Sequence, residues 1–218
     1  MPRPAADPGA VLGPEFFARP ALAVARDLLG RILVRRWRGR RLAGRIVETE
    51  AYAGDGDAAS HASRGMTARN AVMFGPPGRA YVYLVYGMHH CLNLVCGPEG
   101  RAQAVLLRAV EPLEGEALMA GLRPGVRRSD WARGPGRLCA AFAIYRRQDG
   151  LALPAPGLWL ETGRRLAARR RESGPRVGVA YAGDAAAWPW RFWERESPWV
   201  SGPRRKAAGG IGGRRGSR

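Results

Sequence analysis

The sequence predicts a mixed α+β fold: a single domain on a mainly antiparallel sheet, with flanking helices. Two pairs of apolar, β-prone runs are each joined across a tight glycine turn, the pattern of a hairpin. Helical stretches are short, and neither an internal repeat nor an inter-domain linker interrupts the chain. With 218 residues, 46% of them hydrophobic, the chain is long enough to bury a sizeable core.

Taken in order, residues 1–13 read as a loose leader, 14–201 as the folded domain and 202–218 as a basic, glycine-rich tail. "EFFARPALAVARDLLG" predicts a helix with Pro20 near its first turn and Gly30 as its stop. "RILVRRW" and "RLAGRIVETEAY" predict strands joined by a turn at Arg38–Gly39–Arg40. The polar segment "AGDGDAASHASRGMTARNAVMFGPPG" is long for an inert loop and is expected to line a site. "RAYVYLVYGMHHCLNLVC" predicts two strands broken at Gly87, and "QAVLLRAVEP" a further one. "EGEALMAGLR" and "GPGRLCAAFAIY" predict short helices, and "RVGVAY" and "WRFWERESPWVS" strands or extended segments.

Lys and Arg number 36 against 18 acids, a formal net charge of +18 and a pI near 11.4. Such a surface favours a polyanion, nucleic acid first; a merely solvated basic surface is the alternative. The tail adds Arg204, Arg205, Lys206, Arg214, Arg215 and Arg218 without an acid, but the body is basic without it. The three cysteines, Cys91, Cys96 and Cys139, do not make a disulfide framework, and a reducing compartment is expected. "MPRPAADPGAVLG" has no apolar signal core, and the apolar run 21–25 is too short to span a membrane.

Within this basic chain, "RIVETEAY" puts two acids in an apolar strand. Regular alternation places Ile46, Glu48, Glu50 and Tyr52 on one face and Val47 and Thr49 on the other. Two close, partly buried carboxylates are a way to tune a general acid or base. Pairing of each glutamate with an arginine is the competing reading. "YVYLVYG" carries Tyr81 and Tyr83 on one face, with Tyr86 at the break. An aromatic at a hairpin tip is a candidate wedge for a base stack, and an aromatic core stripe is the plainer alternative. His89, His90, Cys91 and Cys96 cluster in sequence, but their spacing matches no standard closed zinc site and neighbouring strand residues face opposite ways. No metal is expected. His61 sits alone in the polar segment.

"ETEAY" followed by "DAASH", "TARNAVMFGPPGRAYVYLVYGMHHCLN", "AVLLRAVEPLEG", "GPGRLCAAFAI" and "RFWERESPWVS" resembles the alkyladenine (3-methyladenine) DNA glycosylase family from about Phe16 to Ser201. The resemblance implies a curved sheet with a protruding β-hairpin that enters the DNA minor groove. It implies excision of alkylated or deaminated purines (3-methyladenine, 7-methylguanine, hypoxanthine) from double-stranded DNA by a cofactor-free, cytoplasmic monomer. By the same resemblance Glu50 activates the attacking water, Tyr52 and Tyr83 sandwich the flipped base, and His61 faces it. Asn93 stands at the pocket wall against guanine's amino group. Tyr86 fills the gap in the duplex beside Met88, and Arg108 contacts the flipped nucleotide's phosphate. Lys206, the only lysine, lies in the tail, so water rather than an amine is the expected nucleophile, with no strand-nicking step. The chain departs from the family at His89 and His90, where aromatics are common. "RRLAARRRES" lies outside the matching blocks, as a variable loop or an auxiliary DNA contact. Glu48 either tunes Glu50 or pairs with an arginine. The rival functions are a noncatalytic nucleic-acid-binding module and a metal-dependent hydrolase built on His89, Cys91 and Cys96.

Overall fold

The computed structural model describes residues 9–54 and 56–202. Strands β1 (Ile32–Trp37) and β2 (Arg40–Ala53) form the first hairpin. Its two-residue turn holds Arg38 at φ 50° and Gly39 at φ 75°, the left-handed pair whose twist matches that of the strands. Strands β3 (Ala80–Val85) and β4 (His89–Val95) form the second, closed by the bond from Met88 N–H to the Val85 carbonyl. Tyr86 and Gly87 take positive φ at its tip. Strand β5 (Gln103–Glu114) joins the hairpins by pairing with both β4 and β2. With β6 (Leu158–Glu161), β7 (Arg171–Gly174) and β8 (Arg191–Glu194), these strands make one eight-stranded sheet in the order β3-β4-β5-β2-β1-β6, in which β8 pairs with both β2 and β7. Every pairing is antiparallel. One edge of β2 is thus shared, its first half by β1 and Glu48–Glu50 by β8.

Among the described residues three α-helices flank the sheet: α1 (Ala21–Leu28), α2 (Glu116–Leu122) and α3 (Pro135–Ala141). The first is shorter than its sequence predicts. Pro14–Phe16 form a separate 3-10 turn, and Pro20 sits at the N-cap with φ −52° and ψ 138°. A proline disfavours helical backbone in the residue before it, so a helix cannot run through Arg19. Ala21, Val24, Ala25 and Leu28 turn inward onto β2 and β5. The main core gathers Leu28, Leu33, Leu42, Ile46, Val105, Leu107, Val110 and Phe142, all buried. Gly44 is required there: a Cβ would lie 2.8 Å from Phe142 Cζ and 2.9 Å from Val110 Cγ2.

Two offset irregularities modify the predicted faces of β2. Ile46 opposes Val110 and Glu48 opposes Ala109, so Val47 is an extra residue; Thr49 then opposes Leu107, so Arg108 is the extra residue on β5. Such bulges reset which way side chains point. Ile46 therefore belongs to the main core with Ala51, not to the face of Glu48 and Glu50, whereas Val47 packs with Trp193, Trp199 and Val200.

"RVGVAY" is not a strand but an irregular turn leading into the 3-10 segment Ala180–Ala187. The arginine-rich stretch instead supplies β7. Arg170 pairs with Glu194 at 2.7 Å, Arg171 donates to the Leu166 carbonyl, and Arg195 pairs with Glu172 at 3.1 Å. Of the predicted leader, Ala10 and Leu12 hydrogen-bond to Thr162 and Leu160 beside β6. Residues 1–8 and 203–218, with the terminal amine and Lys206, lie outside the described residues. No helix among the described residues is long and apolar enough to cross a membrane.

Candidate active site

A cleft of about 890 Å³ opens between the β3–β4 hairpin, the polar segment around His61, the start of α3 and the turn Val177–Tyr181. Asn93, Leu106, Arg108 and Tyr52 reach it from adjacent strands. Directly behind Tyr52 and Arg108, Glu50 is fully buried. Its Oε2 accepts the Tyr52 hydroxyl at 2.9 Å and Arg108 Nη1 at 3.2 Å, and its Oε1 accepts the Val177 N–H at 2.7 Å.

Glu48, also fully buried, is held differently. Its Oε1 accepts Arg108 Nε at 3.0 Å and Arg191 Nε at 2.6 Å, and Oε2 accepts the Ser201 N–H at 2.6 Å. Each glutamate thus has an arginine partner, as the competing reading expected: Glu48 has two, and Glu50 shares Arg108 while lying behind the cleft-lining Tyr52. Arg108 bridges them and bonds Ser201 Oγ at 3.3 Å. Burial opposes its charge, but Glu50 and Glu48 outweigh burial and raise its pKa, so it is a fixed cation.

Tyr52 stays a neutral phenol, since burial first and Glu50 second raise its pKa well above the usual value. One face of its ring is covered by the Arg176 guanidinium, 4.7 Å from the centroid. Arg176 in turn grips Asp57 through two bonds of 2.6 and 2.7 Å and donates to the carbonyls of Ala51 and Ala185. This buried strut ties the polar segment to the turn that presents the Val177 N–H. Across the cleft, Tyr83 lies 4.4 Å from His61 and 5.2 Å from Tyr81, centroid to centroid. His61 Nδ1 meets the Tyr81 hydroxyl at 3.0 Å. Burial pushes Tyr81 up to about 12, and desolvation, then Arg69, lowers the pKa of His61, so the pair is neutral near pH 7. Asn93 is buried at the cleft wall, its amide donating to the Tyr81 carbonyl at 3.2 Å.

The hairpin tip differs in kind. Tyr81 is 1% exposed, whereas Tyr86 is 88% and Met88 72% exposed. The aromatic strand is thus a core stripe at Tyr81 and an unburied apolar tip at Tyr86. The helix start Gly134–Arg137 packs against the hairpin beside its tip: a Cβ on Gly136 would lie 2.9 Å from Cβ of His89, which pairs with Val85 next to the turn. His89 lines the cleft, while His90 turns the other way, 5.6 Å from Tyr145. Among the described residues no three His, Cys, Asp or Glu side chains gather as a metal site.

The structure therefore lines one cleft with Tyr52, His61, Tyr83, Tyr86, Asn93 and Arg108, buries Glu50 behind Tyr52 and Arg108, and leaves Met88 exposed at the hairpin tip, outside the lining. Sequence reasoning did not single out Val177, Asp57, Arg176 or the exposed Tyr181. Val177 is 127 residues from Glu50 and acts through its backbone, so no side-chain pattern marks it.

Residues 15–198 match the model of the methylpurine-DNA glycosylase family. A protein of Methanocella arvoryzae is 53% identical over 203 residues, 92% of this chain and 99% of its own length. One of Myxococcus xanthus is 52% identical over 89% of this chain and 97% of its own, and one of Streptomyces avermitilis 52% over 86% and 89%. Each of the three bears the name "Putative 3-methyladenine DNA glycosylase". Taken with the aromatic cleft and its buried carboxylates, the match over nearly the whole folded body places this chain in the methylpurine-DNA glycosylase family.

Proposed function

We propose that this protein, as a monomer, flips damaged purines out of double-stranded DNA and hydrolyses their N-glycosidic bond with water activated by Glu50. Family membership and the names of the relatives support DNA glycosylase activity on alkylated bases. The observation that carries the mechanism is a buried carboxylate, aimed by Tyr52, Arg108 and the Val177 N–H, at the back of an aromatic slot.

A base in a duplex is out of reach of any side chain. Extruding it costs a few kcal/mol, least for a damaged base. Tyr86 enters the gap, and one stacked aromatic returns about 1–3 kcal/mol, enough to offset much of the flipping but none of the chemistry. The flipped purine lies between Tyr52 and Tyr83 with His61 at its edge, and Asn93 crowds guanine's 2-amino group. Arg108 keeps a second N–H on each terminal nitrogen for the phosphate of the flipped nucleotide.

As the glycosidic bond lengthens, positive charge builds on the sugar. Glu50 meets that charge as a carboxylate. Its Oε2 carries two hydrogen bonds and its Oε1 one, so the remaining Oε1 lone pair takes the proton of the attacking water. Products are a free base and an abasic site. With the sole lysine at position 206 and the terminal amine also far from Glu50 in sequence, water rather than an amine is the nucleophile in this reading, and strand nicking has no part. The substrates are 3-methyladenine, 7-methylguanine and hypoxanthine.

Glu50→Gln tests this directly. The variant should still bind lesion-containing duplex, while release of free base falls by about 10²–10⁴, the usual contribution of a general base. Free base and strand nicks are scored separately against wild type. Full excision by Glu50→Gln would refute the mechanism, and nicking by wild type would refute the monofunctional reading.

A further inference from the structure

The arginines of the first hairpin divide into two groups. Arg41 pairs with Glu114 and Glu161, and Arg45 with Glu111 and Glu194, so these two are structural. Arg36, Arg38 and Arg40 at the β1–β2 turn, and Arg147 beside it, are exposed and have no carboxylate partner among the described residues. Arg35 is 7% exposed, bonds only the carbonyls of Arg36 and Gly157, and leaves its buried Nε without a partner.

Aromatic rings hold Arg35, Arg38 and Arg147 in place, and Arg36 and Arg40 flank them in sequence. Trp37 has the guanidinium carbon of Arg147 at 4.8 Å, of Arg35 at 5.5 Å and of Arg38 at 5.9 Å from its ring centroid. Tyr145 lies 6.4 Å from Trp37, with Arg147 over it at 5.2 Å, and His90 follows at 5.6 Å. His90 opposes Leu84 on the β3–β4 hairpin, on the side away from the cleft. An unbroken ladder of guanidinium and ring thus runs from the back of the hairpin to the β1–β2 turn.

We propose that this ladder is a second DNA-binding surface, which grips the backbone of the duplex arm flanking the flipped base. It rests on the reading of the protein as an enzyme of duplex DNA. A guanidinium lying on a ring keeps its N–H edge for phosphate. The charges are crowded without a counter-ion: burial, then Arg147, lowers the pKa of Arg35, a repulsion that a polyanion relieves. Duplex fits better than single strand because Trp37 is half-buried and ringed by arginines, leaving little open face for an unpaired base. A basic chain has solvated arginines elsewhere: in the arginine-rich stretch near β7 Arg165, Arg170 and Arg171 have acid partners, and the exposed Arg164 and Arg169, without an acid partner among the described residues, lie over no aromatic ring there.

The test is the salt dependence of binding to a duplex of about 30 bp, undamaged and with one central hypoxanthine, for which each phosphate contact contributes about 0.9 to the log–log slope. Arg36→Gln/Arg38→Gln/Arg147→Gln should make the slope shallower by about 3, so that between 50 and 200 mM salt its binding falls about 40-fold less than that of wild type. Arg164→Gln/Arg165→Gln/Arg169→Gln removes the same formal charge and should change the slope by less than about 1. Equal changes in the two variants, an unchanged slope in the first, or a loss confined to single-stranded oligonucleotide would each overturn the proposal. Failure of wild type to release any base would overturn the catalytic reading alone, because the slope on undamaged duplex is read without excision.

Discussion

Replacing Glu48 by glutamine separates the two acids of β2. Glu48 is fully buried, with Arg108 and Arg191 on one oxygen and the Ser201 N–H on the other. Glutamine keeps the shape but only one acceptor oxygen. If that oxygen stays on the arginines, the new NH₂ meets the Ser201 N–H; if the amide turns over, the NH₂ meets two guanidiniums. Either way a buried hydrogen bond is lost together with the charge that the two arginines share. Removing one partner from a buried ion pair costs about 3–5 kcal/mol. For a chain of this size each kcal/mol lowers the melting midpoint by about 2–4 °C, so Glu48→Gln should melt about 6–20 °C below wild type. Glu50→Gln leaves Arg108 its bond to Glu48 and should cost less, about 1–3 kcal/mol. The assay is a thermal melt of both variants, with single-turnover base release measured well below the lower midpoint. Glu48→Gln should keep most of its excision rate there, and Glu50→Gln should lose it. A Glu48→Gln midpoint within about 2 °C of wild type, or a larger loss from Glu50→Gln, would refute this division of roles.

Other outcomes follow from the same geometry. Tyr86→Ala should weaken binding to duplex lesions by about 5- to 150-fold, the worth of one stacked ring, and to single-stranded lesions far less; equal losses would contradict intercalation. Tyr52→Phe keeps the ring but removes the donor to Glu50 Oε2, so base release should slow by about tenfold or more while lesion affinity holds; an unchanged rate would deny the hydroxyl a part. His61 has a folded-state pKa below its unfolded value of about 6.5, so the unfolded chain takes up the proton first as pH falls. Its neutral form favours folding fully above about pH 6.5, and that contribution is lost as pH drops through the window down to the folded pKa. Urea melts at pH 7 and pH 5 should show a larger loss for wild type than for His61→Gln, and equal losses would contradict the shift.

Much of this was legible in the sequence because it is local. Two-residue periodicity and glycine turns marked both hairpins, and alternation set Glu48, Glu50 and Tyr52 on one face. Ile46 fell on the wrong face because a bulge has no reliable sequence signature; only the register against β5 reveals that Val47 is extra. Strands β6 and β7 have four residues each, too few for a period to show, and β7 reads "RESG", polar and ending in glycine. An exposed tip could not be told from a core stripe by spacing, since Tyr81 and Tyr86 differ only in what covers them. The Asp57–Arg176 strut joins residues 119 apart, and its bidentate geometry exists only once the chain is folded.

The anchors of the two glutamates also order events in time. Glu50 waits for the amide of Val177, and Glu48 for the side chain of Arg191 and the amide of Ser201. A chain emerges from the ribosome N-terminal side first, and a domain folds as a unit. Both carboxylates and the hairpin are made before residue 177, yet Glu50 and Glu48 have their full sets of hydrogen bonds only when nearly the whole domain has been synthesised. Loss of the chain beyond residue 176 would therefore take an anchor of Glu50 away while leaving every residue of the β3–β4 hairpin in the sequence.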